Sequence, residues 1–196
     1  MHISWLGTSA IKLQVSTPQH KDVVVLIDPY LPTAVSFPKS LAADVVIATR
    51  GSKGLVTLSG DPFILTDAGE CETHGVLVHA IVSEAGQTTL RLDVEKMTLV
   101  HLGKRMSSLN EREIEALSNV DILCIPVGGV DCLSPELAAK VIAEIEPRVV
   151  IPMCMQSDND PAAAPIEVFA KELGMVAVEA QKKVILKEKD LPEEEM

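Results

Sequence analysis

Aromatic side chains are nearly missing: three Phe, one Tyr and one Trp make up 3% of 196 residues. Bases would find few rings to stack on, and a formal charge of −11 repels phosphate backbones, so nucleic acid is excluded as a partner. Long apolar runs are absent too. Runs such as 23–27 and 149–155 are strand-sized and fall far short of the roughly 20 residues of a membrane span, so no membrane association is expected. The opening Met1-His2-Ile3-Ser4-Trp5 alternates like a strand and has no basic stretch leading into an apolar one. No secretion signal is read there, and cytoplasmic residence is the expectation. Cysteine is sparse and unpatterned. Cys71, Cys124, Cys132 and Cys154 show no CxxC spacing, which favours buried reduced thiols over a disulfide framework.

What the chain does have is aliphatic mass. Hydrophobic residues are 47% of the sequence, which excludes disorder and implies a core of Val, Ile, Leu, Ala and Met. The length suits one domain. It is expected over 1–187, followed by a charged tail at 188–196 that should be disordered. The same aliphatic excess suggests a homo-oligomer.

Periodicity divides the chain into two rhythms. Strands are expected over 3–5, 10–15, 23–27, 45–48, 63–66, 76–82, 88–93 and 97–101, with Val94-Glu95-Lys96 as a hairpin turn. Strands and helices then alternate: helix 110–117, strand 122–126, helix 135–145, strand 149–152, helix 166–173, strands 176–179 and 183–186. Ser134-Pro135-Glu136 is a helix start, a hydroxyl cap followed by proline at the first helical position. Gly174 ends the third helix. Many strands followed by strand–helix alternation predict an α/β (α+β) domain of two packed sheets flanked by helices.

Three landmarks recur along this frame. The first is Ile3-Ser4-Trp5-Leu6-Gly7-Thr8-Ser9 with Leu26-Ile27-Asp28-Pro29-Tyr30. The second is Asp44-Val45-Val46-Ile47-Ala48-Thr49-Arg50-Gly51-Ser52-Lys53-Gly54-Leu55. The third is His101-Leu102-Gly103-Lys104, then Ile122 to Gly129, then Val149-Val150-Ile151-Pro152-Met153-Cys154. In order and spacing these resemble the metallo-β-lactamase fold, in its branch of short zinc-dependent hydrolases whose best-known relatives act on lactones. The resemblance runs from Met1 to about Leu186 and implies a four-layer αβ/βα sandwich of two mixed sheets.

The metal-binding motifs of that family are altered here. Its Thr-His-x-His-x-Asp-His loop keeps only Thr49; Arg50, Ser52, Gly54 and Leu55 stand where the resemblance puts three histidines and an aspartate. A later family histidine has only Ser83 and Glu84 nearby, His-Leu-Gly-Asp ends in Lys104, and Pro-Met-His ends in Cys154. Zinc catalysis needs at least three N, O or S ligands and an open water position. Of these positions only Cys154 could coordinate, while Arg50 and Lys104 would repel a dication. Zinc is the cofactor the resemblance implies, and the sequence supplies no ligand set for it.

The expectation is therefore a catalytically inactive member with a binding or scaffolding role, its cleft filled by Arg50 and Lys104 paired with Asp28 or Glu70 as a structural ion pair. The sharper variant keeps a pocket for a small anionic ligand, built from Arg50, Lys53, Lys104 and Arg105; a protein partner is the other option. The alternative is a hydrolase of the same superfamily with a metal-free or mononuclear site, Cys154 being a weak nucleophile candidate beside Lys104. Among lesser signals, His101 reads as a packing or hydrogen-bonding residue. His74 and His79 fall on opposite faces of a strand. Asp67 to Glu72 reads as a turn with solvated carboxylates, Gly128-Gly129 as a strand-to-loop turn, and 156–160 as a short polar loop beside the cleft.

Overall fold

The computed structural model describes residues 1–20, 22–31, 40–83, 85–177, 181 and 183–193. The first half is strands: β1 (His2–Gly7), β2 (Ala10–Val15), β3 (Val23–Ile27), β4 (Ser40–Ala42), β5 (Val45–Ile47), β6 (Thr57–Ser59), β7 (Phe63–Leu65), β8 (Gly69–Thr73), β9 (Val76–Val82), β10 (Thr88–Val94) and β11 (Met97–His101). Then come α1 (Glu111–Ala116), β12 (Ile122–Pro126), α2 (Pro135–Ile145), β13 (Val149–Met153), α3 (Ile166–Glu172) and β14 (Lys183–Ile185).

One sheet has the order β14-β1-β2-β3-β5-β7, the other β13-β12-β11-β10-β9-β8, and β4 pairs with β6 in a small parallel ribbon. Alternation places Ile3, Leu13, Val25 and Ile47 of the first sheet against Val78, Leu92, Leu99 and Ile122 of the second, forming the inter-sheet core. β12 is buried on both faces, as a parallel strand between layers should be. Its Leu123 and Ile125 turn away from the sheets toward Val141, Ile142 and Phe169 of the helices. All three helices pack on this outer face of the second sheet. Sheet, sheet and helices are thus the layers seen among the described residues; the second helical layer expected of a four-layer sandwich is not among them.

Local chemistry accounts for the boundaries. The Val94–Met97 pair is closed by Glu95 and Lys96, both at positive φ, as a tight hairpin requires. Ser134 caps α2 by accepting from Leu137 N at 3.2 Å, and Asn110 and Glu113 cap α1 reciprocally. Two expectations change. The expected turn at 67–72 is a bend at Asp67 and Ala68 alone: Gly69–Thr73 is the edge strand β8, held by β9 in antiparallel register. The tail expected to be disordered is tied down through residue 192, because Leu191 packs into the inter-sheet core and Arg148 donates to the carbonyls of Leu191 and Pro192 at 3.3 and 2.6 Å. In the expected strand 176–179, Val176 and Ala177 form no ladder, and residues 178–179, like Glu84, lie outside the described residues.

Candidate functional site

Parallel strands present their carboxyl ends on one side, and the loops leaving those ends meet there. Thr8 follows β1, Asp28 to Leu31 follow β3, Thr49 and Arg50 follow β5, Lys104 follows β11, Asp131 follows β12, and Cys154 to Asp160 follow β13. Between them opens a cleft of about 240 Å³ lined by Thr8, Tyr30, Arg50, Lys104, Asp131 and Asp160, among others. Backbone strain gathers at this edge: Thr8, Asp28, Asp131 and Cys154 hold φ of +47°, +52°, +51° and +55°. Side chains with a Cβ avoid that region unless the surroundings impose it, and such residues cluster at working sites. A larger hollow of about 430 Å³ lies around Met1, Gln14, Glu95 and Lys183, at the β1–β14 edge. Its lining contains none of these strand-end loops, so chemistry favours the smaller cleft.

Asp28 is fully buried and forms no ion pair with a cation among the described residues. Its Oδ1 accepts from Thr49 N at 2.8 Å, Thr49 Oγ1 lies 2.9 and 2.8 Å from the two carboxylate oxygens, and Ser9 Oγ donates to Oδ2 at 3.3 Å. His101 sits beside this network. Its Nε2 donates to Ser9 O at 2.9 Å and its Nδ1 accepts from Gly103 N at 3.1 Å, which fixes the tautomer and uses both ring nitrogens. Burial lowers its pKa against the pull of the nearby Asp28 charge, so the ring is neutral.

The two cations are placed differently from expectation. Arg50 lays its guanidinium over the Tyr30 ring, 4.0 Å from the centroid, while Tyr30 Oη accepts from Arg50 N at 2.7 Å and donates to Gly51 O at 2.9 Å. Burial, then the Asp28 charge, raises the Tyr30 pKa. Lys104 is half-buried. Neither cation forms an ion pair with a carboxylate among the described residues. The proposed Asp28 partnership is not formed, because hydroxyl and amide donors already saturate Asp28. Nor is Glu70 a partner: it lies on β8, at the far edge of the second sheet, with its carboxylate 3.4 Å from His79.

Two other members of the expected anion pocket are elsewhere. Arg105 is 1% exposed and forks onto both carboxylate oxygens of Glu113 at 2.7 and 2.8 Å. It also donates to Ser107 O, Ser108 O and Thr89 Oγ1, so no N–H is left for a ligand. Burial alone would raise the Glu113 pKa, but the Arg105 and Asn110 hydrogen bonds bring it below the usual carboxylate value. Lys53 is exposed on the 50–54 turn with Ser52 and Gly54, outside the cleft lining, while Leu55 is half-buried in a bridge to Tyr30. Of the four, Arg50 and Lys104 alone line the cleft.

The residue sequence reasoning missed is Cys132. Its thiol lies beside that of Cys154 in the inter-sheet core and donates to Leu133 O at 3.7 Å. Proximity to Cys154 foremost, then the Gly128 and Gly129 backbone and the Lys104 charge, lower the Cys132 pKa against burial. Cys154 moves the opposite way. Its proximity to Cys132 and its burial push it well above the ordinary thiol range, and Lys104 offsets little. Of the two thiols, Cys132 gives up its proton the more easily. Gly128-Gly129, read as a mere turn, is the cradle of this pair. A Cβ on Gly128 would lie 1.8 Å from Cys154 O.

Do these residues suit a metal? Among the described residues no three His, Cys, Asp or Glu side chains come together in a way that could hold one. Arg50, Ser52, Gly54 and Leu55 offer no ligand set on their turn, Lys104 is a cation, and His101 has both nitrogens engaged. The donor set does not fit a zinc centre.

The family model described as a beta-lactamase superfamily domain matches residues 2–154. A UPF0173 metal-dependent hydrolase of Methanopyrus kandleri is 28% identical over 196 residues, covering 78% of this chain and 83% of the relative. One from Thermococcus onnurineus is 26% identical, with coverage of 76% and 84%. Among solved structures, a proposed zinc-dependent hydrolase of the metallo-β-lactamase superfamily from Thermotoga maritima superposes with a TM-score of 0.81 at 23% identity, over 99% of this chain and 95% of that one. A metallo hydrolase from Ignicoccus hospitalis gives 0.66 at 15% identity, over 95% and 99%. The metallo-β-lactamase-like α/β fold is thereby shown. The inactive binding or scaffolding role expected from the sequence is overturned: the relatives that match over most of the chain are named hydrolases, which favours the hydrolase alternative.

Proposed function

The chain belongs to the beta-lactamase superfamily, and from that premise we propose that it is a hydrolase working at the strand-end cleft on small anionic esters, without a metal pair. The observation that carries the reading is the cleft itself: Arg50 and Lys104 face the same small volume with no carboxylate ion-paired to either among the described residues. A volume of about 240 Å³ lies below the roughly 300–1,000 Å³ of drug-sized sites, which favours a small substrate.

In this reading the substrate's carboxylate or phosphate sits against the Arg50 fork, which Tyr30 holds flat. Lys104 supports the oxyanion that develops as water adds to the acyl carbon. Asp131 or Asp160, on the same lining, takes the proton of that water and returns it to the leaving alkoxide. The donor set described above assigns no step to a metal. Cytoplasmic residence belongs to the same proposal; no helix among the described residues is long and apolar enough to cross a membrane.

The test is a panel of short esters with and without a carboxylate or phosphate, assayed before and after dialysis against a chelator. Turnover should favour the anionic members and survive chelation. Arg50→Met should raise KM about tenfold or more through the lost charge-assisted hydrogen bonds, and Asp131→Asn or Asp160→Asn should cut kcat about 10²–10⁴-fold. Absence of turnover on every anionic ester, or its loss on chelation and return with zinc, would sink this reading.

A further inference from the structure

We infer that Cys132 and Cys154 are a redox-active pair that closes reversibly into a disulfide. They are distant in sequence, but each lies in the segment that follows one of two neighbouring parallel strands, β12 and β13. Their thiols lie side by side in the inter-sheet core, and the residues are 7% and 0% exposed. The pair is distinctive among the four cysteines. Cys71 lies on β8 at the opposite edge of the sheet, Cys124 is enclosed in the middle of β12, and neither makes a thiol hydrogen bond among the described residues.

Close approach is built into the backbone. Gly128, which can have no side chain without striking Cys154 O, lets the 128–132 loop rest on the end of β13. Cys154 N is held by Thr8 O at 3.0 Å, which fixes that side of the pair. The other side can adjust, because Gly129, Val130 and Asp131 are exposed. Going from this contact to a bond of about 2.05 Å needs a local shift of this loop, not a rearrangement of the sheets.

The chemistry balances with a peroxide as oxidant. The Cys132 thiolate attacks one peroxide oxygen, breaks the O–O bond and becomes a sulfenic acid; the leaving hydroxide takes the proton that the thiol gave up and departs as water. Cys154 sulfur then attacks the sulfenic sulfur, giving its proton to the departing hydroxyl, which leaves as a second water. Two thiols lose two electrons in total, and the peroxide gains them. A small dithiol reverses the step by exchange. Val130 and Asp131 of the moving loop line the cleft, so oxidation redraws the cleft wall.

The test uses the full chain and hydrogen peroxide. After treatment, alkylation in denaturant should find two free thiols where untreated protein has four. Intact mass before alkylation should fall by about 2 Da. Peptide mapping should show Cys132 joined to Cys154, and dithiothreitol should restore all free thiols. In Cys154→Ser the reaction should stop at a Cys132 sulfenic acid that a cyclic dione traps. Four free thiols after peroxide, a sulfinic acid on Cys132 without a cross-link, or a bridge involving Cys71 or Cys124 would overturn the inference. These readouts need no substrate, so they stand or fall apart from the hydrolase reading.

Discussion

At Asp28 a fully buried carboxylate depends on hydroxyls and one amide, and Thr49 supplies both kinds of donor. Thr49→Val keeps the shape and removes the hydroxyl, leaving the charge under-satisfied. The expected loss is about 1–3 kcal/mol in urea unfolding, with Thr49→Ser recovering most of it. His101 gives a second residue-scale prediction. Its folded pKa is lowered by burial, so the unfolded chain takes up the proton first and stability must fall with acid. The contribution is complete above about pH 6.5, the unfolded value, and is lost progressively below it. Unfolding midpoints measured from pH 7.5 to 5 should decline, and His101→Asn should flatten that slope. An unchanged slope in the variant would put the sensitivity elsewhere.

α1 has only six residues, too few to persist alone, so Arg105 and Glu113 hold it to the second sheet. Arg105→Met strands a buried carboxylate and should cost about 3–5 kcal/mol, read as a lower unfolding midpoint. Because the Glu113 pKa is depressed in the fold, its contribution is present at neutral pH and disappears as pH falls through the folded value. Gly128→Ala should be poorly tolerated, since the new methyl meets a strand-end carbonyl rather than a movable side chain. Many elements were legible because burial imposes a period: Val76, Val78 and Ala80 alternate inward on β9, and Ser134-Pro135 announces α2. Short polar strands such as β8 were not, since exposed pairing leaves no apolar signature. Arg50, Lys104 and Asp28 could be found from their strand-end positions, but their partners could not. Nothing in the sequence tells that Arg105 turns inward to Glu113, or that Cys132 folds back onto Cys154, because those meetings are made by the tertiary path of the loops.

For the molecule as a whole, an acidic chain of net charge −11 brings two cations, Arg50 and Lys104, together with the carboxylates of Asp131 and Asp160 in one small opening. The opening is therefore less acidic than the average surface, a contrast that favours small anions over extended polyanions. The opening is also a seam. Thr8, Tyr30 and Arg50 belong to loops of one sheet, whereas Lys104, Asp131 and Asp160 belong to loops of the other. An inhibitor long enough to grip both banks would act as a rivet through the sandwich, and unfolding would first have to eject it. At a hundredfold excess over Kd the rivet adds about 2.7 kcal/mol. For a chain of this size that is a rise in Tm of roughly 5–10 °C, visible by calorimetry and absent in Arg50→Met.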